Sequence, residues 1–516
     1  MSKSRAEGRS LKANFIYSFI SQILTLIVPL ITTPYLSRVL HETGNGQYSF
    51  SVSIITYFIL FANLGFDVYG QRQIAAHRED KEKKSAIFWE IFIFKCVLTL
   101  ISLGVLFSVV FSGVFGEVYT KLILILSIQV IAVPFDIQFL FRGDEDFRAI
   151  ALRTIIMRAI SLVCIFAFVK NETQTPLYAL LLSLSVIASN LVMWPSLIRK
   201  ICAVPLKSLK LFRHVRPAIL IFLPTLAVTV FSVFDKTMIG LLAQNADYEN
   251  GCYEQAYKIN SISLLLVTII SPVMVSRNAH DFHAGNLEQV KHHLYSASRY
   301  VWMMGLPLIV GFYVLGANLC GWFLGPGYTV VPLLLVIMSV RFISSGFSEI
   351  FGSQLFIAIG KEHYPLIATT AAAIVNVTLN YFLIPEYGAT GAAIATAVCE
   401  IVVTLVYLFP VAKGKYVNLG RVLLLSWKYF IAAAVMFVPI FFMQRYMNYS
   451  ILSFLAIMFT GMAVYALSLF LLRDKFFLSQ TGNVLKAVKA KFFKKGNETE
   501  ESIEIQETKA EEDTDV

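Results

Sequence analysis

The chain has 516 residues, of which 57% are hydrophobic and 15% are charged, and its mean hydropathy is +0.68. A soluble globular domain carries about 25% charged residues, so these values exclude an ordinary soluble domain and indicate a membrane protein. The net charge of +10 is spread over many short segments without a recognisable binding motif, which argues against a nucleic-acid-binding protein.

Long apolar stretches follow one another along almost the whole chain. A helix needs about 20 mostly apolar residues to cross a bilayer, because lipid cannot hydrogen-bond an exposed backbone. Fourteen stretches meet this requirement, so we predict an all-α polytopic membrane protein with about 14 transmembrane helices. The predicted spans are 13–37, 47–68, 87–111, 122–141, 150–169, 177–198, 218–242, 259–275, 300–317, 331–356, 365–384, 388–411, 424–443 and 450–472.

Lys and Arg are concentrated in every second connecting segment. With the N-terminus in the cytoplasm, roughly 33 basic residues lie on the inner side and 5 on the outer side. The excess of basic residues predicts that the N-terminus and the C-terminus both face the cytoplasm. In this assignment Lys258 is one of the five outer residues.

Two short motifs occur twice at similar separations. Asn-Gly-Gln-Tyr at 45–48 is followed about 205 residues later by Asn-Gly-Cys-Tyr at 250–253. Phe-Gly-Glu-Val-Tyr-Thr at 115–120 is followed about 209 residues later by Leu-Gly-Pro-Gly-Tyr-Thr at 324–329. These matches predict a duplicated six-helix unit whose copies share one orientation.

The duplication predicts the following organisation of the chain. An N-terminal six-helix bundle (1–198) and a C-terminal six-helix bundle (218–411) are joined by a basic cytoplasmic linker (199–217). Helices 13 and 14 (412–472) follow, and an amphipathic and acidic cytoplasmic tail (473–516) ends the chain.

Several ionisable side chains lie near the middle of predicted spans, where a charge is costly and is therefore a functional hypothesis. They are Lys95, Arg158, Asp235, Lys236, Arg341, Glu349 and Glu400. For Asp235 and Lys236, two interpretations are open. They serve substrate binding or coupling, or they lock helices together through ion pairs.

Lys95, Arg158 and Arg341 are cations on three different predicted helices. A water-filled vestibule lined by cations suits an anionic headgroup such as a diphosphate, because the planar fork of arginine matches phosphate oxygens. Alternatively, the three cations form separate ion pairs with Glu349, Glu400 and Asp136. The sequence does not decide between these possibilities.

Sequence motifs for other activities are missing. The sequence has no phosphate-binding loop, no His-Glu-x-x-His and no nucleophile elbow, so we expect neither an enzyme nor direct drive by ATP. The cysteines have no close pair, and the histidines between 280 and 293 fit a solvated loop better than a metal site. We therefore predict no metal and no cofactor, and we consider Asp235, Glu349 and Glu400 as candidates for ion coupling.

Further motifs of small, basic and aromatic residues occur in both halves. The first half carries Asn-Phe-Ile-Tyr at 14–17, Pro-Tyr at 34–35, Arg-Val-Leu at 38–40, Leu-Gly-Phe-Asp at 64–67 and Gly-Gln-Arg-Gln-Ile-Ala at 70–75. The second half carries Phe-Asp-Lys at 234–236, Gly-Cys-Tyr at 251–253 and Gly-Pro-Gly-Tyr at 325–328. Over roughly residues 10–470, the chain resembles the Wzx-type polysaccharide flippases of the multidrug/oligosaccharidyl-lipid/polysaccharide exporter superfamily.

The resemblance implies two six-helix bundles plus two more helices, around a V-shaped cavity that alternates between the two faces of the membrane. It implies a flippase in the cytoplasmic membrane of a bacterium. The cargo is then an undecaprenyl-diphosphate-linked oligosaccharide, moved from the inner to the outer leaflet for capsule, O-antigen or other cell-surface polysaccharide. Expected partners are this substrate, membrane lipids, and the polysaccharide polymerase and chain-length machinery.

The resemblance also adds residues to the expected substrate cavity. Arg38, Arg72, Asp235 and Lys236 fall on motif positions of the family. Lys95, Arg158 and Arg341 are added because of their depth in the predicted spans.

Three other functions are open at this point. A flippase for the peptidoglycan lipid precursor differs only in the sugar that it carries. An ion-coupled multidrug extruder of the same superfamily needs a net acidic cavity for cationic drugs, and the buried cations argue against it. A membrane-embedded polymerase or ligase usually needs a sizeable extracytoplasmic loop, and none here is long enough.

Overall fold

The computed structural model describes residues 28–205, 209–414 and 416–482. These ranges are predominantly helical and contain no strand, and the predicted all-α membrane fold is confirmed. Ten helical segments in them are long and apolar enough to cross a membrane. The count of fourteen and the orientation stay predictions. Most of the first predicted span and the tail beyond residue 482 lie outside the described residues.

Helices in the first half are joined by short turns. They are α1 (28–39), α2 (His41–Asn63), α3 (Phe66–Ala76), α4 (Lys81–Phe111), α5 (Glu117–Ile131), α6 (Gln138–Gly143), α7 (Phe147–Phe168), α8 (Thr175–Leu191) and α9 (Trp194–Leu197). Two 3₁₀ turns lie at Glu172–Gln174 and Leu211–His214.

The second half begins with a long helix that follows the linker. Its helices are α10 (Val215–Leu242), α11 (Ala246–Thr268), α12 (Ser271–His283), α13 (Leu287–Phe323), α14 (Val331–Met338), α15 (Arg341–Ser348), α16 (His363–Lys413), α17 (Leu419–Leu424), α18 (Trp427–Tyr446) and α19 (Ile451–Leu471). A π-helical segment at Glu349–Ile357 continues α15, and residues 475–482 are helical.

Several predicted spans are interrupted. Span 47–68 breaks at Leu64 and Gly65, whose φ angles are 41° and 74°. Span 122–141 breaks after α5, in a turn that contains Pro134, because proline cannot donate the helical hydrogen bond. The 51-residue α16 has a non-helical residue at Gly388 (φ 53°, ψ −130°), and its two parts correspond to spans 365–384 and 388–411.

The eighth predicted span, 259–275, does not coincide with a helix. Helix α11 begins at Ala246 and ends at Thr268. Its first three turns contain many polar residues that face other helices, and their low hydropathy concealed the start of the helix. Lys258 and Glu254 are therefore part of a helix, and the assignment of Lys258 to a connecting segment is wrong.

Apolar side chains form separate cores in two parts of the chain. Three clusters lie among residues 36–222, and one large cluster lies among residues 238–469. The helices α18 and α19 pack against each other and against α13. The predicted division of the chain at 199–217 and after 411 stays a prediction.

The first repeated motif forms a close crossing of α2 and α11. Gly46 of α2 lies against the carbonyl oxygen of Asp247, and Gly251 of α11 lies against that of Glu42. A Cβ atom at either glycine would overlap the facing oxygen, so only glycine permits this approach. The two contacts are equivalent under the internal repeat. Gly46 corresponds to Gly251 and Glu42 corresponds to Asp247, because the members of each pair are about 205 residues apart.

The second repeated motif flanks this α2–α11 crossing. The hydroxyl of Tyr119, in the first copy, donates to the Asp247 carboxylate of the second half. The carboxylate of Glu42, in the first half, lies against Gly327 in the second copy. Each copy of the second motif therefore contacts the opposite half of the chain.

Candidate functional site

Asp235 lies deep within α10 and is only 3% exposed. Its Oδ1 accepts hydrogen bonds from Nδ2 of Asn376 (2.9 Å) and of Asn380 (2.6 Å). Its Oδ2 accepts from the hydroxyls of Tyr253 (2.5 Å) and Thr396 (2.7 Å). Among the described residues, four neutral donors surround this carboxylate and no ion pair neutralises it, which is a costly arrangement in a membrane.

An unsatisfied oxygen lies beside Asp235. The Oδ1 atom of Asn380 is buried and has no hydrogen-bond partner in the described part of the chain. The Oδ1 atom of Asn376 accepts from Nδ2 of Asn380 at 3.2 Å. A carboxylate next to a free amide oxygen can take up a proton or a small hard cation.

Lys236 follows Asp235 in the chain but has different neighbours, because adjacent residues of a helix point about 100° apart. Its Nζ lies 2.5 Å from Oε2 of Glu254 on α11. The other carboxylate oxygen of Glu254 lies 3.0 Å from Nζ of Lys258. One carboxylate therefore bridges two ammonium groups.

Arg341 joins the same region from α15. Its Nε lies 3.3 Å from Oε1 of Glu400, and its Nη1 donates to Asn260 at 3.1 Å. The ring of Tyr257 lies under both Arg341 (5.1 Å) and the Lys236 ammonium (5.5 Å), at cation–π distances. We call Lys236, Glu254, Tyr257, Lys258, Arg341 and Glu400 the charged cluster.

Lys95 belongs to a second polar group, in the first half. It is 1% exposed, and its Nζ lies 2.7 Å from Oδ1 of Asp67 and 3.4 Å from the carbonyl oxygen of Asp136. Asn63 donates to the other oxygen of Asp67 at 2.7 Å. A cavity of about 130 Å³ adjoins this group and is lined in part by Asn63, Asp67, Lys95, Gln129, Asp136 and Asn190.

The other sequence-predicted residues lie elsewhere. Arg158 is half-buried on α7 and has no ion pair within the described ranges. Arg38 is exposed and donates to the carbonyl oxygen of Trp322, and Arg72 is exposed on α3. Glu349 accepts from the hydroxyl of Ser271 at 2.8 Å. The structure thus brings Lys236, Arg341 and Glu400 together. Asp235 is connected to this group by Tyr253, whose ring stacks on that of Tyr257 with centroids 6.1 Å apart.

The sequence analysis missed the partners of these residues. Glu254 and Lys258 stand four positions apart, which is a spacing that favours an ion pair on one helix face. That signal was available, but the late start given to the eighth span placed both residues in a loop. Asp67 was recognised only as part of a motif, because a cation on another helix cannot be assigned to it from spacing.

Comparison with known proteins identifies relatives of most of the chain. The family model described as polysaccharide biosynthesis protein matches residues 11–277. A putative O-antigen transporter of Escherichia coli (strain K12) is 24% identical over 415 residues, which cover 79% of this chain and 98% of that protein.

Solved structures share the fold. The lipid II flippase MurJ in an inward closed conformation aligns with a TM-score of 0.67 at 17% identity, covering 90% of this chain and 99% of that one. An inward-facing multidrug resistance MATE family transporter of the MOP superfamily aligns with a TM-score of 0.59 at 17% identity, covering 75% and 98%. At such identities the similarity establishes the fold and does not identify the substrate.

Proposed function

The chain belongs to the polysaccharide biosynthesis protein family, whose model matches more than half of its residues, and from this we propose that it is a flippase for a lipid-linked oligosaccharide. In the finer form of the proposal, the cargo is an undecaprenyl-diphosphate-linked oligosaccharide. It moves from the inner to the outer leaflet of a bacterial cytoplasmic membrane and supplies capsule, O-antigen or another cell-surface polysaccharide.

The charged cluster is the observation that carries this proposal. Lys236 and Arg341 lie over the ring of Tyr257, and Lys258 shares the Glu254 carboxylate with Lys236. Ammonium and guanidinium groups bind phosphate oxygens strongly, and arginine does so through two parallel hydrogen bonds. A diphosphate held here leaves the polyprenyl tail in the bilayer and the sugar in the space between the two halves.

Movement of the cargo is proposed to follow alternating access. The α2–α11 crossing joins the two halves through close backbone contacts at Gly46 and Gly251. Such contacts between two rigid helix bundles can separate without unfolding either bundle. Separation at the crossing then opens the charged cluster to one side.

Ion coupling is proposed to act at Asp235. Glu400 is already paired with Arg341, and Glu349 has a serine partner, so each has a role that its neighbours explain. Asp235 holds a charge that only neutral donors stabilise. A proton or cation that binds there changes the local charge by one unit and so favours one conformation over the other.

Two related functions remain as outcomes of the test. The similarity to MurJ in fold makes a peptidoglycan lipid precursor an alternative cargo with the same diphosphate. The similarity to a MATE transporter makes a drug extruder the second alternative. Three cations in the charged cluster oppose a cationic drug, so we favour the lipid-linked sugar.

A flipping assay in proteoliposomes tests the proposal. The purified protein is reconstituted with a fluorescent undecaprenyl-diphosphate oligosaccharide, with a fluorescent peptidoglycan precursor, or with a cationic dye. We expect protein-dependent movement of the oligosaccharide lipid alone. Movement of the dye alone would contradict the proposal and point to a drug extruder, and movement of the peptidoglycan precursor alone would assign the other cargo.

A further inference from the structure

We propose that Glu254 is a built-in competitor for the diphosphate of the substrate. Its carboxylate occupies the anion site between Lys236 and Lys258 in the empty protein, and cargo binding displaces it. This inference rests on the proposed function.

The contacts of Glu254 are those expected of a bound anion. One carboxylate oxygen lies 2.5 Å from Nζ of Lys236, and the other lies 3.0 Å from Nζ of Lys258. The two ammonium groups come from different helices, α10 and α11. A phosphate group offers the same feature, two anionic oxygens that can each accept from a separate ammonium.

Arg341 extends the site to a second phosphate. It shares the ring of Tyr257 with Lys236, at 5.1 Å and 5.5 Å. It contacts Glu400 through Nε alone, at 3.3 Å from Oε1. The guanidinium group therefore does not form two parallel hydrogen bonds with that carboxylate. A diphosphate has enough oxygens to engage the two lysines and this fork together.

Accessibility separates Glu254 from the other acids. The side chains of Glu254, Lys236 and Lys258 are 13%, 17% and 34% exposed, so this group is less enclosed than Asp235, which is 3% exposed. Asp235, in contrast, is enclosed by four donors. Glu254 is therefore the carboxylate that a headgroup can replace.

A contact across the halves links this exchange to conformational change. Ser49 of α2 donates to Oε2 of Glu254 at 3.2 Å, and Lys236 pairs with the same oxygen. The contact exists only while α2 lies against α11. Displacement of Glu254 by the cargo removes a hydrogen bond that holds the two helices together, so binding favours their separation.

A binding measurement on the intact protein tests the inference. Farnesyl diphosphate, a soluble diphosphate with a prenyl tail, is titrated into the full-length protein in detergent at constant ionic strength, and its Kd is measured. Glu254→Gln keeps the shape of the side chain and removes its charge. We expect the Kd to fall about tenfold, because the two ammonium groups lose their internal partner.

Matched variants make the result specific. Glu249 lies on the same helix, but its carboxylate accepts from the backbone N–H of Ala389 and does not contact the two lysines. We expect the Glu249→Gln variant to bind farnesyl diphosphate with the same Kd as the unmodified protein. Lys236→Gln should raise the Kd. If Glu254→Gln folds poorly, Glu254→Asp serves instead, since the shorter side chain cannot reach both lysines and should also lower the Kd.

The outcomes distinguish this inference from the proposed function. An unchanged or higher Kd in the Glu254 variants, with measurable binding by the unmodified protein, overturns the competitor role and leaves the flippase proposal standing. Failure of the unmodified protein to bind the diphosphate or to move the lipid-linked sugar overturns the proposed function, and the inference with it.

Discussion

Asp235 is stabilised by hydrogen bonds that a neutral side chain can largely keep. In Asp235→Asn, the remaining side-chain oxygen still accepts from Asn376 and Asn380. The new amide group can donate to the hydroxyls of Tyr253 and Thr396, because these hydroxyls can rotate to accept. We expect normal membrane abundance and a loss of transport of about tenfold or more, because the charge that an ion would neutralise is gone. Abundance and flipping rate are measured on the same preparation.

Two results would contradict this expectation for Asp235. Unchanged transport would remove Asp235 from ion coupling. Loss of the folded protein would instead support a role in locking α10, α11 and α16 together. Thr396→Val, which removes one donor and keeps the charge, is the matched control and should retain most of the transport.

The Lys95–Asp67 pair is expected to behave as a buried ion pair. Lys95→Met leaves the Asp67 carboxylate without its cation at 2.7 Å, and we expect the free energy of unfolding to fall by about 3 kcal/mol. Lys95→Met combined with Asp67→Asn removes both charges and should recover most of this loss. Thermal unfolding of the purified variants checks the prediction, and additive losses would contradict it.

At the level of single residues, depth in a span selected several side chains that the fold brings together, and their role in substrate binding stays a prediction. Asp235, Lys236, Arg341 and Glu400 lie in or beside one cluster. Their partners could not be predicted, since an ion pair between α10 and α11 depends on the packing of helices. Arg38 and Arg72 match family motifs and are exposed, and their place in a substrate cavity stays a prediction.

Helix ends were predicted well where apolar residues face lipid and poorly where polar residues face other helices. Helix α19 (Ile451–Leu471) agrees closely with the predicted span 450–472. Helix α11 begins thirteen residues before its predicted span, because its polar first turns are covered by α2. Hydropathy reports on contact with lipid, so it cannot detect a membrane helix whose surface is hidden by other helices.

The α2–α11 crossing yields a prediction at the level of helices. In Gly46→Ala, the new methyl group overlaps the Asp247 carbonyl oxygen, so the two helices must move apart. We expect slower flipping and faster maleimide labelling of a cysteine placed at Ser49, in a variant without other reactive cysteines. Labelling rates from the predicted outer side check this.

Gly104→Ala is the matched control for the crossing. Gly104 also lies in a membrane helix, but a Cβ there meets nothing within 4 Å. We expect its flipping and labelling rates to equal those of the unmodified protein. Equal rates for Gly46→Ala as well would show that the crossing tolerates a methyl group and would contradict its role as a closed contact.

At the level of the whole molecule, the segment between the two halves contacts the first half at several points, and one carboxylate holds its last part. Glu90 of α4 accepts from the backbone N–H of Lys210 (2.6 Å) and lies 2.5 Å from Nε2 of His214. Arg213 pairs with the same carboxylate at 2.5 Å. The hydroxyl of Tyr69 lies 2.8 Å from the other ring nitrogen of His214.

This attachment should weaken at acidic pH. Burial lowers the pKa of His214 below its usual value despite the neighbouring Glu90, so the attached form favours the neutral ring. In a released segment, His214 has the ordinary histidine pKa of about 6.5 and binds a proton more readily. The attachment is therefore stable above this pH and is lost as the pH falls below it. We expect proteolysis within 199–217 to be faster at pH 5.5 than at pH 7.5.

His214→Gln tests the source of this pH dependence. Glutamine does not titrate between pH 5.5 and pH 7.5. In this variant, the cleavage rate at pH 5.5 divided by that at pH 7.5 should therefore fall toward the value that the same protease gives with an unrelated substrate. A ratio equal to that of the unmodified protein would assign the effect to another group.

The internal repeat has a consequence for the history of the molecule. At the α2–α11 crossing, the motif of one half fits against the motif of the other, and each glycine accommodates a backbone atom that lies in the opposite copy. The predicted duplication implies that neither copy could then diverge at these positions independently. Exchange of one half for that of a distant relative should therefore fail at this crossing even when each half folds well, whereas exchange of both halves together should succeed.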